Sequence, residues 1–383
     1  MASAQRPHSP PSCRALRCCS WNILAESLMR DNIHLYKRCH PVALQQRLPR
    51  TIDGLLQLNA DIIALQEVEQ ESFDQAILTL SQHGYEGMFK KRTGDQMDGV
   101  ALLWRPSRLS LVHIEAVEYA RVLTASVQDR VMAERMRKHN VGLIGVFSDR
   151  DCGREVVVAT THILWNPRRG LVKLRQMEHL FARLDTLRRA ALQPVSRMQE
   201  GPGGLLQLDG ISHRMRAVLA LGDFNCAPSS PLHKFLLGWP LEAPVDTERF
   251  WDGQEAVKQR MKTREPPKQV EYQLASGSSA DLTPCVEAAA QEAVKLGKGL
   301  VRCLNPLGCE MVSAYGHIGE PECTSFHSGF HGTVDYVLLS KSSFVVQTVL
   351  PTPSFRELLG RRSLPDFTTP SDHLPIAADL IWR

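Results

Sequence analysis

Five short apolar runs in this sequence each end on a polar residue, and that repeated ending constrains the fold more than any other feature. The runs are Cys19-Ser20-Trp21-Asn22-Ile23-Leu24, Leu65-Gln66-Glu67-Val68, Ala159-Thr160-Thr161-His162, Leu221-Gly222-Asp223-Phe224-Asn225 and Ser371-Asp372-His373-Leu374-Pro375. Short, near-continuous apolar runs read as strands buried on both faces. Loops at strand ends are where catalytic groups tend to sit. A sixth run, Thr333-Val334-Asp335-Tyr336, sets its acid inside an apolar strand, where a charge is costly unless paired or ligated.

Helical periodicity fills the spaces between these runs. Val42–Leu58 predicts a helix whose start is moved or kinked by Pro49, and Ser72–Gln82 predicts another that stops near Gly84. Arg168–Leu192 reads as a long helix and Pro231–Leu237 as a short one. Strands are expected at Ala15–Ile23, Asp61–Leu65, Tyr85–Phe89, Gly99–Trp104, Leu109–Val117, Ala217–Leu221, Thr333–Leu339 and Leu374–Ile381. Val141–Phe147 and Glu155–Ile163 read as a hairpin around Asp149–Gly153. Residues 193–213, rich in Gly, Pro and Ser, read as a surface loop. Residues 240–298 read as an insertion with an alanine-rich helix near Val286–Leu296, since the stretch has too few large apolar residues for its own core. The expected organisation is a flexible stretch over 1–13 and one α+β domain over 14–383.

Composition narrows the partners. No apolar run approaches the about 18 residues that span a bilayer, so no membrane partner is expected. The 45 basic and 41 acidic side chains give a formal charge of +4, which excludes a polybasic protein. A polyanion must therefore meet a local patch. Arg168–Arg189 holds seven basic and two acidic residues, and Arg121–Lys138 five and two. The two segments flank the run that ends in His162. The ten cysteines include no CxxC pair, so reduced thiols in an intracellular protein, cytoplasmic or nuclear rather than mitochondrial, are expected. His34, Cys39 and His40 form a trio with no fourth ligand and read as incidental.

The residues at the run ends share one chemistry. Acids, amides and imidazoles without thiolates suit a hard cation such as Mg²⁺, with Mn²⁺ as the alternative. The remaining groups are of the kinds that activate water and stabilise a transferring phosphoryl group. Residue chemistry alone thus points to metal-assisted hydrolysis of a phosphate ester.

The ordered set WNIL, LQEV, TH, GDFN, VDY and SDHLP resembles the endonuclease/exonuclease/phosphatase superfamily. Within it the chain looks most like the branch of carbon-catabolite-repressor-type deadenylases, nocturnin and Angel. That finer likeness rests on Ser20–Ser27, Leu35–His40, Lys90–Gly94, Asn140–Leu143 and Thr161–Gly170, with Asn166–Gly170 (NPRRG) and Leu35–His40 most like Angel. The resemblance implies a four-layer αββα fold, two packed mixed β-sheets flanked by helices with the site at one edge. It implies Glu67 as the main metal ligand with Asn22 beside it, and Asp372 on the metal or its water. Asp223 would orient or deprotonate the attacking water and Asn225 would hold it. His373, oriented by Asp335, would contact the scissile phosphate, and His162 would stabilise the phosphoryl oxygen.

Substrate contacts are read from basic and helix-start positions. Arg92 lies in the basic loop Lys90-Lys91-Arg92, and Arg168 and Arg169 follow Pro167 at a helix start, a favourable phosphate position. Asn166 belongs to the same motif. Asn140 either touches a base or sugar or ends the preceding basic segment. Trp165 and Tyr315 either stack a base or, as is commoner near strand ends, pack in the core, and Phe224 reads as packing. The resemblance implies action on RNA 3′ ends, with 3′→5′ exonucleolysis of poly(A) first. Removal of a 2′,3′-cyclic phosphate, hydrolysis of a small nucleotide and an inactive scaffold are the alternatives. No leucine-rich-repeat segment is present, so no tether of that kind to a deadenylase complex is expected.

Overall fold

The computed structural model describes residues 13–36, 39–40, 46–125, 127–190, 198–200, 206–208, 215–263, 300–361 and 363–383. Two six-stranded sheets carry the fold, and their strands are numbered β1–β12 here. The first sheet runs β11 (Phe344–Val349), β12 (Ile376–Trp382), β1 (Leu16–Asn22), β2 (Ile62–Glu69), β4 (Asp98–Trp104), β3 (Glu86–Lys91). The second runs β9 (Met311–Ser313), β10 (Asp335–Ser340), β8 (Ala217–Asp223), β7 (Glu155–His162), β6 (Val141–Asp149), β5 (Leu109–Glu118). Both sheets are mixed: β1 pairs parallel with β2 and antiparallel with β12, and β8 pairs parallel with β7 and antiparallel with β10.

Strand periodicity explains the layers. Successive side chains face opposite ways, and here both directions are apolar. Leu16, Cys18, Ile62, Ala64, Val156, Val158, Leu219 and Leu221 meet between the sheets. Their neighbours Cys19, Trp21, Ile63 and Leu65 face α1 (Arg47–Leu58) and α2 (Gln70–Gln82). Val157, Ala159, Val218 and Ala220 face α3 (Gly170–Arg189) and α4 (Pro231–Leu236). The expected four layers are therefore present.

Several boundaries differ from the sequence reading for local reasons. α1 starts at Arg47, so Pro49 lies in its first turn, where no intrahelical N–H is needed. α3 starts at Gly170 rather than Arg168, with Arg169 at its N-cap, and residue 170 must be glycine because a Cβ there would lie 2.2 Å from the Glu248 carbonyl oxygen. Asp335 opens β10 instead of lying inside it. In the stretch expected as a loop, Met198–Glu200 pairs with Leu206–Leu208. The helix expected near Val286–Leu296 lies outside the described residues. The described start of the expected insertion is built into the fold: Trp251 is 1% exposed within the α3 cluster, and α5 (Gln254–Thr263) follows it. Among the described residues no helix is long and apolar enough to cross a membrane.

Candidate active site

Register brings the polar strand ends together. Asn22, the last residue of β1, lies opposite Gln66, which precedes the register shift in β2. Asp223 lies opposite both His162 on β7 and Asp335 on β10. His373 enters from the loop before β12, where it bridges to Ser325, and its carbonyl accepts the Trp21 indole N–H at 2.9 Å. All the strand-end residues named from the sequence thus gather at one edge of the sandwich.

The backbone is shaped to present them. A register shift between Gln66 and Val68 puts Glu67 at φ 54. A non-glycine residue there carries strain of about 1–3 kcal/mol, of the kind that clusters at functional sites. Asn225 adopts φ 50, which asparagine tolerates. Gly222, at φ +150, lets β8 approach β7, because a Cβ would sit 2.1 Å from the Thr161 carbonyl oxygen.

The side chains form one connected array. Asn22 Nδ2 donates to Glu67 Oε1 at 3.0 Å and to Asp223 Oδ2 at 3.3 Å, and the Ala25 N–H donates to Glu67 Oε2 at 3.2 Å. Asp223 Oδ1 accepts the Asn225 N–H at 2.9 Å. Its Oδ2 lies 3.5 Å from His162 Nε2 and 4.0 Å from His373 Nε2. His373 Nδ1 and Asp335 Oδ2 are 2.8 Å apart. Ser371 Oγ donates to the Asn22 carbonyl at 2.6 Å and accepts the His373 N–H at 3.1 Å. Tyr36 OH donates to Asp372 Oδ2 at 2.9 Å. The roles of Tyr36 and Ser371 were missed, although both lie inside motifs the resemblance used.

Electrostatics show what the array lacks. Burial, then repulsion from Asp372, pushes Glu67 up to about 7, and burial, then Asp335, pushes Asp223 up to about 8. Among the described residues no lysine or arginine pairs with Glu67, Asp223 or Asp372, and Asp335 Oδ1 has no hydrogen-bond partner. Four crowded carboxylates with one cationic imidazole among them fit a divalent cation, and the absence of thiolates makes it a hard one. Asp223, Asp335 and His373 offer donor atoms within 4.8 Å of one another, whereas Glu67, Asn22 and Asp372 are the ligands expected from the motifs. Held protonated by Asp335, the His373 imidazole has no lone pair to offer a metal, which favours the latter set. Burial, then Arg92, holds His162 well below the usual imidazole range, so it is neutral. Burial also opposes charge on His373, but Asp335, Asp372 and Asp223 outweigh it and hold the imidazole well above its usual value.

The substrate candidates divide. Arg92 is largely buried and pairs with Asp98 at 3.3 Å. Asn140 is 2% exposed and turned into the fold: its Nδ2 donates to the His162 carbonyl at 3.0 Å and its Oδ1 accepts from Gln176 at 3.2 Å. These contacts tie it to the backbone of His162. Asn166 Oδ1 caps the Arg168 N–H at 2.9 Å, leaving the Arg168 side chain exposed. The charge of the long basic segment is mostly neutralised. Lys173, Arg175, Arg183, Arg188 and Arg189 pair with Asp252, Glu178, Glu115 and Asp185, while Arg168 and Arg169 stand outside such pairs among the described residues. Trp165 is 63% exposed, against the core packing preferred from sequence, whereas Tyr315 and Phe224 are buried.

Known proteins share this arrangement of chain. The Endonuclease/Exonuclease/phosphatase family matches over residues 19–373. Protein angel homolog 2 of Danio rerio is 32% identical over 93% of this chain and 62% of its own length. 2′,5′-Phosphodiesterase 12 of Rattus norvegicus is 26% identical over 96% of this chain and 52% of its own. The chain thus spans between half and two thirds of the length of these relatives. The crystal structure of ANGEL2, a 2′,3′-cyclic phosphatase, in complex with adenosine-2′,3′-vanadate matches with a TM-score of 0.72 and 25% identity, covering 96% of this chain and 95% of that one.

Proposed function

Because the chain belongs to the endonuclease/exonuclease/phosphatase family, we propose that it is a metal-dependent phosphoric ester hydrolase that removes a 2′,3′-cyclic phosphate from an RNA 3′ end. The observation that carries the substrate is the likeness to ANGEL2 held with adenosine-2′,3′-vanadate, which extends over 96% of the chain. The motifs alone put poly(A) exonucleolysis first, and this likeness reverses the order. Cleavage of a phosphodiester link remains the second reading, favoured by the similarity to 2′,5′-phosphodiesterase 12.

In the proposed reaction, water attacks phosphorus and one ribose P–O bond breaks. Hydrolysis of the resulting monoester then frees phosphate and the diol. Asp223 is placed to accept a proton from the attacking water, and the burial and crowding that raise its carboxyl make it a stronger base than a solvated aspartate. The Asn225 N–H holds the other oxygen of that carboxylate. His373 stays cationic against Asp335 and faces the phosphoryl oxygens through Nε2. Neutral His162 is placed to hydrogen-bond the same group. A divalent cation, Mg²⁺ in this proposal, held by Glu67 with Asn22 and Asp372, would neutralise charge that develops on the phosphoryl group. Arg168 and Arg169 provide the phosphate contacts further along the RNA.

Three RNAs with Mg²⁺ test the reading: one ending in a 2′,3′-cyclic phosphate, one in an oligo(A) tail and one in a non-A tail with a free 3′-OH. Loss of the cyclic phosphate without shortening is expected. Shortening of the A tail alone would replace the proposal with the deadenylase reading.

A further inference from the structure

The start of the segment set aside from sequence as an insertion reaches the back of the active site. Asp252 lies on it, and both Asp252 and the Lys173 side chain are fully buried. Lys173 sits in the first turn of α3. An ammonium has three N–H donors, and all three are used: Asp252 Oδ2 at 2.5 Å, the Asn225 carbonyl at 2.8 Å and the Trp165 carbonyl at 3.3 Å. Asp252 Oδ1 accepts the Gln254 N–H at 2.9 Å. Gln254 Nε2 then donates to the same Asn225 carbonyl at 2.8 Å.

That grip falls on a residue whose conformation matters. Asn225 is held at φ 50. Its N–H is 2.9 Å from Asp223 Oδ1, and its Nδ2 donates to the Ile163 carbonyl at 2.9 Å. The carbonyl is thus fixed by Lys173 and Gln254, while the two amide groups aim at the Asp223 carboxylate and at the residue after His162. A buried ion pair is a poor device for stability alone, since well-packed apolar residues of similar volume commonly do as well or better. This pair instead touches the loops that follow both Asp223 and His162.

We propose that Lys173 and Asp252 are positioning residues for the hydrolytic site, holding Asn225 so that Asp223 and His162 keep their relative placement. The inference rests on the hydrolase reading above but does not depend on which ester is cleaved.

The test is the charge-neutral double variant Lys173→Met/Asp252→Leu, assayed on the cyclic-phosphate RNA and on oligo(A). With the fold intact by circular dichroism, kcat is expected to fall about a hundredfold while KM stays within about twofold, as for a misplaced reacting group. A kcat within about threefold of wild type in the folded variant would reduce the pair to a packing feature and overturn the proposal. Should that variant fail to fold, Gln254→Leu decides: kcat lower by about tenfold supports the grip on Asn225, and an unchanged kcat overturns it. Wild-type turnover of oligo(A) but not of the cyclic phosphate, with the same loss in the variant, would overturn the substrate reading and leave the positioning role standing. A wild-type chain inert on both RNAs overturns both.

Discussion

Asp335 and His373 stand 38 residues apart in sequence and meet at 2.8 Å, Oδ2 against Nδ1, at the edge where the two sheets end. The contact keeps His373 charged against the burial that would discharge it and leaves Nε2 facing Asp223. Asp335→Asn removes that support. The imidazole then titrates lower, and activity is lost as pH rises through its new value. The wild-type to variant kcat ratio should reach about 10² to 10³ at pH 8 and be clearly smaller at pH 6. A ratio near one at both pH values would remove His373 from the reaction.

The crowded carboxylates make a prediction about metal and pH together. Without metal, Glu67 and Asp223 bind protons in the folded protein up to about 7 and about 8, well above their unfolded values. A raised carboxylate contributes stability that is present below its unfolded pKa and lost as pH rises through its folded one. Metal-stripped protein should therefore lose Tm between about pH 5 and pH 8. Added Mg²⁺ should raise Tm by about 5 °C at pH 8 and far less at pH 5.5, because the ligands must be deprotonated to bind it. Thermal denaturation checks this, with Glu67→Gln as the variant that no longer responds. An equal Mg²⁺ effect at both pH values would contradict the assigned cation site.

Asn140→Ala should separate positioning from recognition. It leaves the His162 carbonyl and the Gln176 amide without their buried partner, at a cost of about 2 kcal/mol in urea denaturation. Displacement of His162 should lower kcat by about tenfold with little change in KM. A raised KM at constant kcat would restore Asn140 as a direct substrate contact.

Arg168 and Arg169 are expected to bind phosphate rather than stabilise the fold, since neither is in an ion pair among the described residues. The double alanine variant should keep its Tm and its kcat. KM for RNA should rise by about tenfold, and the slope of log kcat/KM against log salt should flatten by about 1.4 for the two lost charges. An unchanged salt slope would place the RNA elsewhere.

The strand-end residues were legible in the sequence because catalytic edges impose residue type and spacing locally: Gly222 before Asp223, and a polar residue closing each apolar run. Glu67 was recognisable as a carboxylate at a strand end, but its φ of 54 depends on a register shift against β4 that no single strand displays. The contacts of Asn140 were not legible because its partners, the His162 carbonyl and Gln176, lie 22 and 36 residues away. Residues 240–263 looked accessory for a related reason. Their apolar content is too low for an independent core, yet Trp251 is packed into the cluster shared with α3, and Asp252 and Gln254 act through contacts 79 and 29 residues distant in sequence. The basic segment 168–189 misled in the opposite direction. Its arginines are conspicuous in sequence, but acids on neighbouring turns and on β5 neutralise most of them.

The most direct measurement is ³¹P NMR of an RNA ending in a 2′,3′-cyclic phosphate, followed with the 383-residue chain and Mg²⁺. Conversion of the cyclic-phosphate resonance to inorganic phosphate is predicted. Chelation should stop it, and Glu67→Ala and Asp223→Ala should each slow it by about 10³-fold while remaining folded. Persistence of the cyclic resonance with the wild-type chain, or a near-wild-type rate in either variant, would contradict the account.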